Sequence, residues 1–202
     1  MKNNENKDWI DVKELSLVCK QLDKKKDAED FVSVRNAFLF KLLAYSGIEV
    51  KELISLRGED IVFNDDQAII AISKTKTREE RVVILPFHLI KDDMTKYLKL
   101  RTPGAPLLFY SDLRGIKTIN KDLVTKIVKD ILTKSKARVK DKTPRMLRRS
   151  YAINLNNEKS KLTGLTMPES AIQALMGIKN RTDLRNLLKI DRNEFFNPAE
   201  YF

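Results

Sequence analysis

Three arginines within five residues, Arg145, Arg148 and Arg149, follow Pro144, where proline suits the first position of a helix. Arginine opposes the positive end of a helix, so this group calls for an anion or a buried acid. Lys74, Lys76 and Arg78 form a second basic set, between two β-branched runs. Lys134, Lys136, Arg138, Lys140 and Lys142 form a third, and Lys179 and Arg181 extend the series. The chemistry open to such groups is the holding of phosphate, in a bidentate fork by arginine and as a point charge by lysine. From Lys134 to Arg192, fifteen Lys and Arg stand against five Asp and Glu, a net charge of +10. The whole 202-residue chain carries +11, so nearly all of its excess lies in the last third. Nucleic acid is the expected partner of a region of that density, and a solvated lysine-rich surface is the alternative.

The remaining chemistry is narrow. One cysteine, Cys19, excludes an internal disulfide and a cysteine cage for a metal, and suits a reducing cytoplasm. One histidine, His88, excludes a histidine-rich metal site. No cofactor and no metal are expected. No apolar run approaches the roughly 18 residues of a membrane span, and Met1 to Asp8 is polar and charged. A cytoplasmic protein without a membrane partner is therefore expected. At 42% hydrophobic and 33% charged residues, the chain has material for one core beneath a charged surface.

The elements that must position these groups are read from periodicity. Helices are expected over Trp9–Leu22, Phe31–Tyr45 with Gly47 as its stop, and Val50–Leu56. Three β-branched runs, Ile61–Phe63, Ala68–Ile72 and Arg81–Leu85, predict a three-stranded antiparallel sheet that Pro86 ends. Helices resume over Leu89–Leu100, Lys121–Leu132, Pro144–Asn156, Met167–Met176 and Leu184–Ile190, and 134–142 reads as a basic loop. The fold class is α+β, mostly α. Residues 1–8 read as a disordered lead-in, 9–192 as one domain and 193–202 as an aromatic tail. Cys19 is read as a core residue and His88 as a helix-start residue.

Five segments in this order resemble the catalytic domain of the tyrosine recombinases, the phage-integrase family. Leu42–Leu53 is similar to the box L-L-x-x-T-G-L-R-x-x-E-L, and Ser55–Ile61 to the x-L-x-x-x-D-I that leads into the sheet. Lys74–Pro86 resembles the lysine hairpin, Thr143–Ala152 resembles T-P-H-x-L-R-H-x-x-A, and Ile172–Gly177 resembles I-Q-x-L-L-G-H. The resemblance implies a fold with a small three-stranded sheet and action on double-stranded DNA. In that chemistry a tyrosine attacks a phosphodiester and keeps the 3′ phosphate. Two arginines and a histidine or tryptophan hold the non-bridging oxygens, a hairpin lysine protonates the leaving oxygen, and a second histidine is acid and base.

Position by position, the resemblance carries Arg148 over as the second arginine and Lys76 as the hairpin lysine, with Lys74 as its alternate. It places Glu49 at the first arginine, Arg145 at the box histidine, Ile178 at the last histidine and Leu187 at the tyrosine. The expectation drawn from these replacements is that the chain is not an enzyme. It would be a catalytically inactive DNA-binding relative serving a mobile element in replication, maintenance or regulation. Its DNA-binding set would be Lys74, Lys76, Arg78, Lys140, Lys142, Arg145, Arg148, Arg149, Lys179 and Arg181. Glu52 is expected to pair one of the arginines at 145–149. Only a short segment precedes the first box, which implies half of a clamp around DNA, as a fragment or a stand-alone factor. Phe195, Phe196, Tyr201 and Phe202 make the tail a candidate for packing on its own domain or for self-association. Tyr201, beyond Leu187 in the chain, is the alternative nucleophile of a strand-cleaving enzyme. A protein-binding scaffold is the third reading.

Overall fold

The helix with the smallest share of polar residues lies at the centre. The computed structural model describes residues 7–24, 30–73, 80–111, 117–157 and 164–188. In it, α2 (Phe31–Ser46) is capped by Asp30, whose side chain accepts the Ser33 N–H at 2.9 Å. It ends at Gly47, whose φ of +62° is the left-handed conformation that closes helices. Phe38, Leu39, Phe40, Leu42 and Leu43 follow almost without a break and all are buried, so α2 is covered on every side. Lys41 is buried among them. Burial alone would lower its pKa, but Asp93 at 2.5 Å and Asp23 at 2.8 Å hold the ammonium above its ordinary value.

Around this axis pack α1 (Val12–Lys24), α3 (Val50–Ser55), α4 (Lys91–Leu100), α5 (Lys121–Lys134) and α6 (Pro144–Asn157). The expected sheet is present as β1 (Ile61–Phe63), β2 (Gln67–Ile72) and β3 (Arg81–Pro86), antiparallel in that order. Ile61 pairs with Ile70 and Ile70 with Val83, all buried; Val62, Ile69 and Ile84 pair across the outer face. A two-stranded ribbon, β4 (Tyr110–Ser111) with β5 (Lys117–Thr118), precedes α5. The chain closes with α7 (Glu169–Leu175) and α8 (Arg181–Leu188).

The apolar interior falls into two clusters. The larger joins α1 to α5, the sheet, and Met146 and Leu147 on the first turns of α6. The smaller joins Ala152 and Ile153 farther along α6 to Ile172, Met176, Ile178, Leu184 and Leu188.

Against expectation α7 begins at Glu169, not Met167, and α8 at Arg181, not Leu184; two further differences bear on how the chain is held. The first helix begins at Val12, not Trp9, because Asp11 caps it by accepting the Glu14 N–H at 2.9 Å. The same N–H holds the Asp11 carboxyl below its ordinary value. The apolar Trp9 and Ile10 instead belong to a non-helical strap. Ile10 is fully buried, donates its N–H to Ser150 Oγ at 2.9 Å and accepts from Asn154. Lys7 in that strap pairs with Val139. The basic run 134–142 is accordingly held in place: Ala137 and Val139 are buried while Lys136, Arg138 and Lys140 face solvent.

Cys19 is a core residue, within 3.4 Å of the Tyr45 hydroxyl, and burial pushes its thiol pKa up. His88 lies exposed in a 3-10 turn, Phe87–Leu89, ahead of α4. No helix of the described residues is long and apolar enough to cross a membrane. Among those residues no group of three or more His, Cys, Asp or Glu could hold a metal.

Candidate nucleic-acid interface

A cleft of about 640 Å³ opens where the N-terminal ends of α3, α5 and α6 meet α8. Asn120 caps α5 by accepting the Leu123 N–H at 2.8 Å, which brings Lys121 to the rim on the first helical residue. Pro144 opens α6 and sets Arg145 one residue in, beside it. Lys51 projects from the first turn of α3. Lys51, Lys121 and Arg145 are exposed, and none has a charged or hydrogen-bonding partner among the described residues for its side-chain nitrogens. Two 14-residue helices therefore point their positive ends, each with a cation, into one space.

The back of the cleft is different. Arg148, one turn along α6, is buried and donates to the carbonyl oxygens of Gly47 and, at 2.7 Å, Met176. Its Nη2 also lies 3.7 Å from Glu49 Oε1. Farther along α3, Glu52 is fully enclosed. It accepts from Arg81 Nη1 at 2.6 Å and Nη2 at 2.9 Å, and from the Glu49 N–H at 2.7 Å. Burial alone would raise the Glu52 pKa, but those Arg81 hydrogen bonds, the Glu49 N–H and the charges of Arg81 and Arg148 bring it below its ordinary value. Glu52 thus pairs with Arg81, not with an arginine at 145–149 as expected. Arg81 also donates to Leu175 O at 2.9 Å, and its guanidinium lies against Gly177, where a Cβ would come within 2.8 Å of Nη1.

The remaining wall is α8 with the turn before it: Ile178, Asp183, Asn186 and Leu187. Glu49, Arg145, Arg148, Ile178 and Leu187, drawn from opposite ends of the sequence, therefore line one cleft. Among the described residues that line it there is no tyrosine, serine, threonine, cysteine or histidine.

The other basic positions stand elsewhere. Arg149 is half-buried, donates to Leu187 O at 2.9 Å and lies 3.7 Å from Asp8. Arg181 pairs with Glu169 at 2.8 Å. Lys140 is exposed beside the strap, 3.9 Å from Asp8. Lys142 Nζ is 3.5 Å from Thr133 Oγ1, and Lys179 is exposed in the turn after α7. Lys74, Lys76, Arg78 and Tyr201, with the rest of the aromatic tail, lie outside the described residues. Sequence reasoning missed Lys51 and Lys121. Lys51 sits at a variable position of its box, and nothing local ties Lys121 to the later box that begins α6.

The model of the phage integrase family matches residues 9–186. The chain belongs to that family. It is 29% identical over 123 residues to tyrosine recombinase XerA of Pyrococcus furiosus, an alignment covering 60% of this chain and 41% of that protein. It is 27% identical over 130 residues to tyrosine recombinase XerH of Campylobacter jejuni, covering 64% and 36%. The chain thus matches about half or less of the length of these curated relatives. Among solved structures it is similar to the XerH site-specific recombinase bound to palindromic difH substrate in a post-cleavage complex. The TM-score is 0.75 at 22% identity, over 94% of this chain and 51% of that one. It is also similar to the Tn1549 transposon integrase in complex with circular intermediate DNA, with a TM-score of 0.65 at 18% identity over 95% and 64%.

These findings overturn the expectation that the chain is not an enzyme. Its family is a recombinase family and its curated relatives bear the name tyrosine recombinase. The replacements at Glu49, Arg145, Ile178 and Leu187 alter which groups line the cleft, and they do not take the chain out of an enzyme family.

Proposed function

We propose that this chain is a domain of a tyrosine recombinase that seats duplex DNA along the cleft, with the phosphate backbone on the wall formed by Lys51, Lys121 and Arg145. The observation that carries this reading is the meeting of three exposed cations, unpartnered among the described residues, with the positive ends of α5 and α6 in one cleft. A backbone phosphate has the charge and the acceptor oxygens that such a wall lacks partners for. The DNA complexes of XerH and of the Tn1549 integrase, to which the fold is similar, support a duplex as the ligand. The transposon named in the second supports a role in moving or maintaining a mobile element.

Titration of fluorescent duplex with the full chain at two salt concentrations tests this. Affinity should fall steeply with salt. Lys121→Ala and Arg145→Ala should each weaken binding several-fold and flatten the log–log salt slope by about 0.9 for each phosphate no longer engaged. Binding that is absent, or indifferent to salt, would overturn the reading.

A second reading concerns the strand-cleaving step. Leu187 offers no nucleophile, and Tyr201 is the tyrosine that follows α8 in the chain. Attack by its hydroxyl oxygen on phosphorus, with loss of the hydroxyl proton, would form a phosphotyrosine bond and break the bond to the 5′ oxygen, which takes up a proton and leaves as a 5′ hydroxyl. A nicked suicide duplex run on a denaturing gel should then trap an adduct that Tyr201→Phe abolishes. An adduct that persists in Tyr201→Phe would remove Tyr201 from that role.

A further inference from the structure

From the charge layout of the cleft we infer that Glu49 decides where a phosphate is held, by occupying the face of Arg148 and confining the anion to the rim. The inference rests on the DNA-binding reading above. The cleft has two electrostatic zones. At the rim, Lys51, Lys121 and Arg145 carry three positive charges that no ion pair neutralises among the described residues. At the back, the positive charge of Arg148 meets the Glu49 carboxylate at 3.7 Å, so that pair is close to neutral. On the far wall, Asp183 adds a negative charge.

Access points the same way. The Arg148 side chain is 7% exposed against 27% for Glu49, so an anion moving inward meets the carboxylate before the guanidinium. A phosphate in that position would face a like charge across a few ångströms, with its own hydration partly removed. Arg148 does not swing out to meet it, because two of its N–H groups are committed to the carbonyls of Gly47 and Met176. The Glu49 backbone is held beside it, as the residue that precedes α3, by its N–H donated to Glu52 Oε2 at 2.7 Å. The arginine is thereby a stationary charge with a counter-ion on its open side, and Glu49 is the specificity-determining member of the pair.

Removing that carboxylate should open the back of the cleft. In duplex titrations with the full chain, Glu49→Gln is expected to bind roughly five-fold more tightly than the unsubstituted protein. Its salt slope should steepen by about 0.9, one further phosphate engaged. Glu49→Ser removes the charge while keeping a good helix cap, so it gives the same reading should the glutamine variant fold poorly. Glu49→Asp, which keeps the charge, should bind less tightly than Glu49→Gln. Unchanged affinity and slope in Glu49→Gln and Glu49→Ser, with Lys121→Ala still weakening binding, would sink the role of Glu49 and leave the DNA reading standing. Failure of every one of these proteins to bind duplex would sink both.

Discussion

Glu49 and Glu52 stand one turn apart at the start of the same short helix, and each faces an arginine, yet the two pairs differ in kind. Glu52 and Arg81 are enclosed, with side chains 2% and 5% exposed and two hydrogen bonds of 2.6 and 2.9 Å in a fork. Glu49 and Arg148 are 3.7 Å apart, and Glu49 faces the cleft. The first pair ties α3 to β3 and, through Leu175 O, to α7. The second leaves a carboxylate where a ligand arrives. The two pairs show that geometry and burial, not residue type, separate a structural ion pair from one that a substrate can feel.

The largest effect should come from breaking the enclosed pair. Arg81→Met strands the Glu52 carboxylate in the interior and should cost roughly 3–5 kcal/mol in urea denaturation. A destabilisation of less than about 1 kcal/mol would mean that the pair is no tighter in energy than an exposed one. The next largest effect strikes the anchor of the looser pair, since Gly47 supplies a carbonyl to Arg148. Gly47→Ala forces φ +62° on an alanine and drives its Cβ into the Tyr151 ring, and should cost about 2 kcal/mol or more. A melting temperature equal to that of the unsubstituted chain would refute that.

Acid sharpens the contrast. The Glu52 pKa is depressed by folding, so its contribution is complete above the ordinary value of 4.5 and is lost as the pH falls through the lower, folded value. Stability should therefore decline below about pH 4.5, and the decline should shrink or reverse in Arg81→Met, where the arginine no longer offsets burial. The smallest effect belongs to a surface pair used as reference. Glu169, 26% exposed, meets Arg181, 64% exposed, and Glu169→Gln should change stability by less than about 1 kcal/mol.

Much of the fold is legible in the sequence, where information is local. Gly47, Pro144, the β-branched runs and the amphipathic period of α5 mark elements that the structure contains. The boxes also indicate which positions share a cleft, because order along the chain carries the topology with it. The roles of the arginines are not legible. Arg148 and Arg149 are adjacent, yet one faces the back of the cleft and the other bonds to Leu187 O, according to which side of α6 each occupies. Trp9 mimics a helical period while belonging to a non-helical strap, since the segment that pairs with the strap, at Val139, lies far along the chain. Lys121 reaches the site only through the tertiary placement of α5.

The division of the interior into a large and a small cluster has a dynamic consequence. The rim cations Lys121 and Arg145 ride on helices rooted in the large cluster, whereas Ile178, Leu184 and Leu187 belong to the small one. A small apolar cluster gives a low opening free energy, so amides of α7 and α8 should exchange with deuterium before those of α2. That order of exchange would mean that the two walls of the cleft open separately, so that the aperture could widen for a bulky polymer while the phosphate-facing wall kept its shape; equal exchange in α7, α8 and α2 would mean that they open as one.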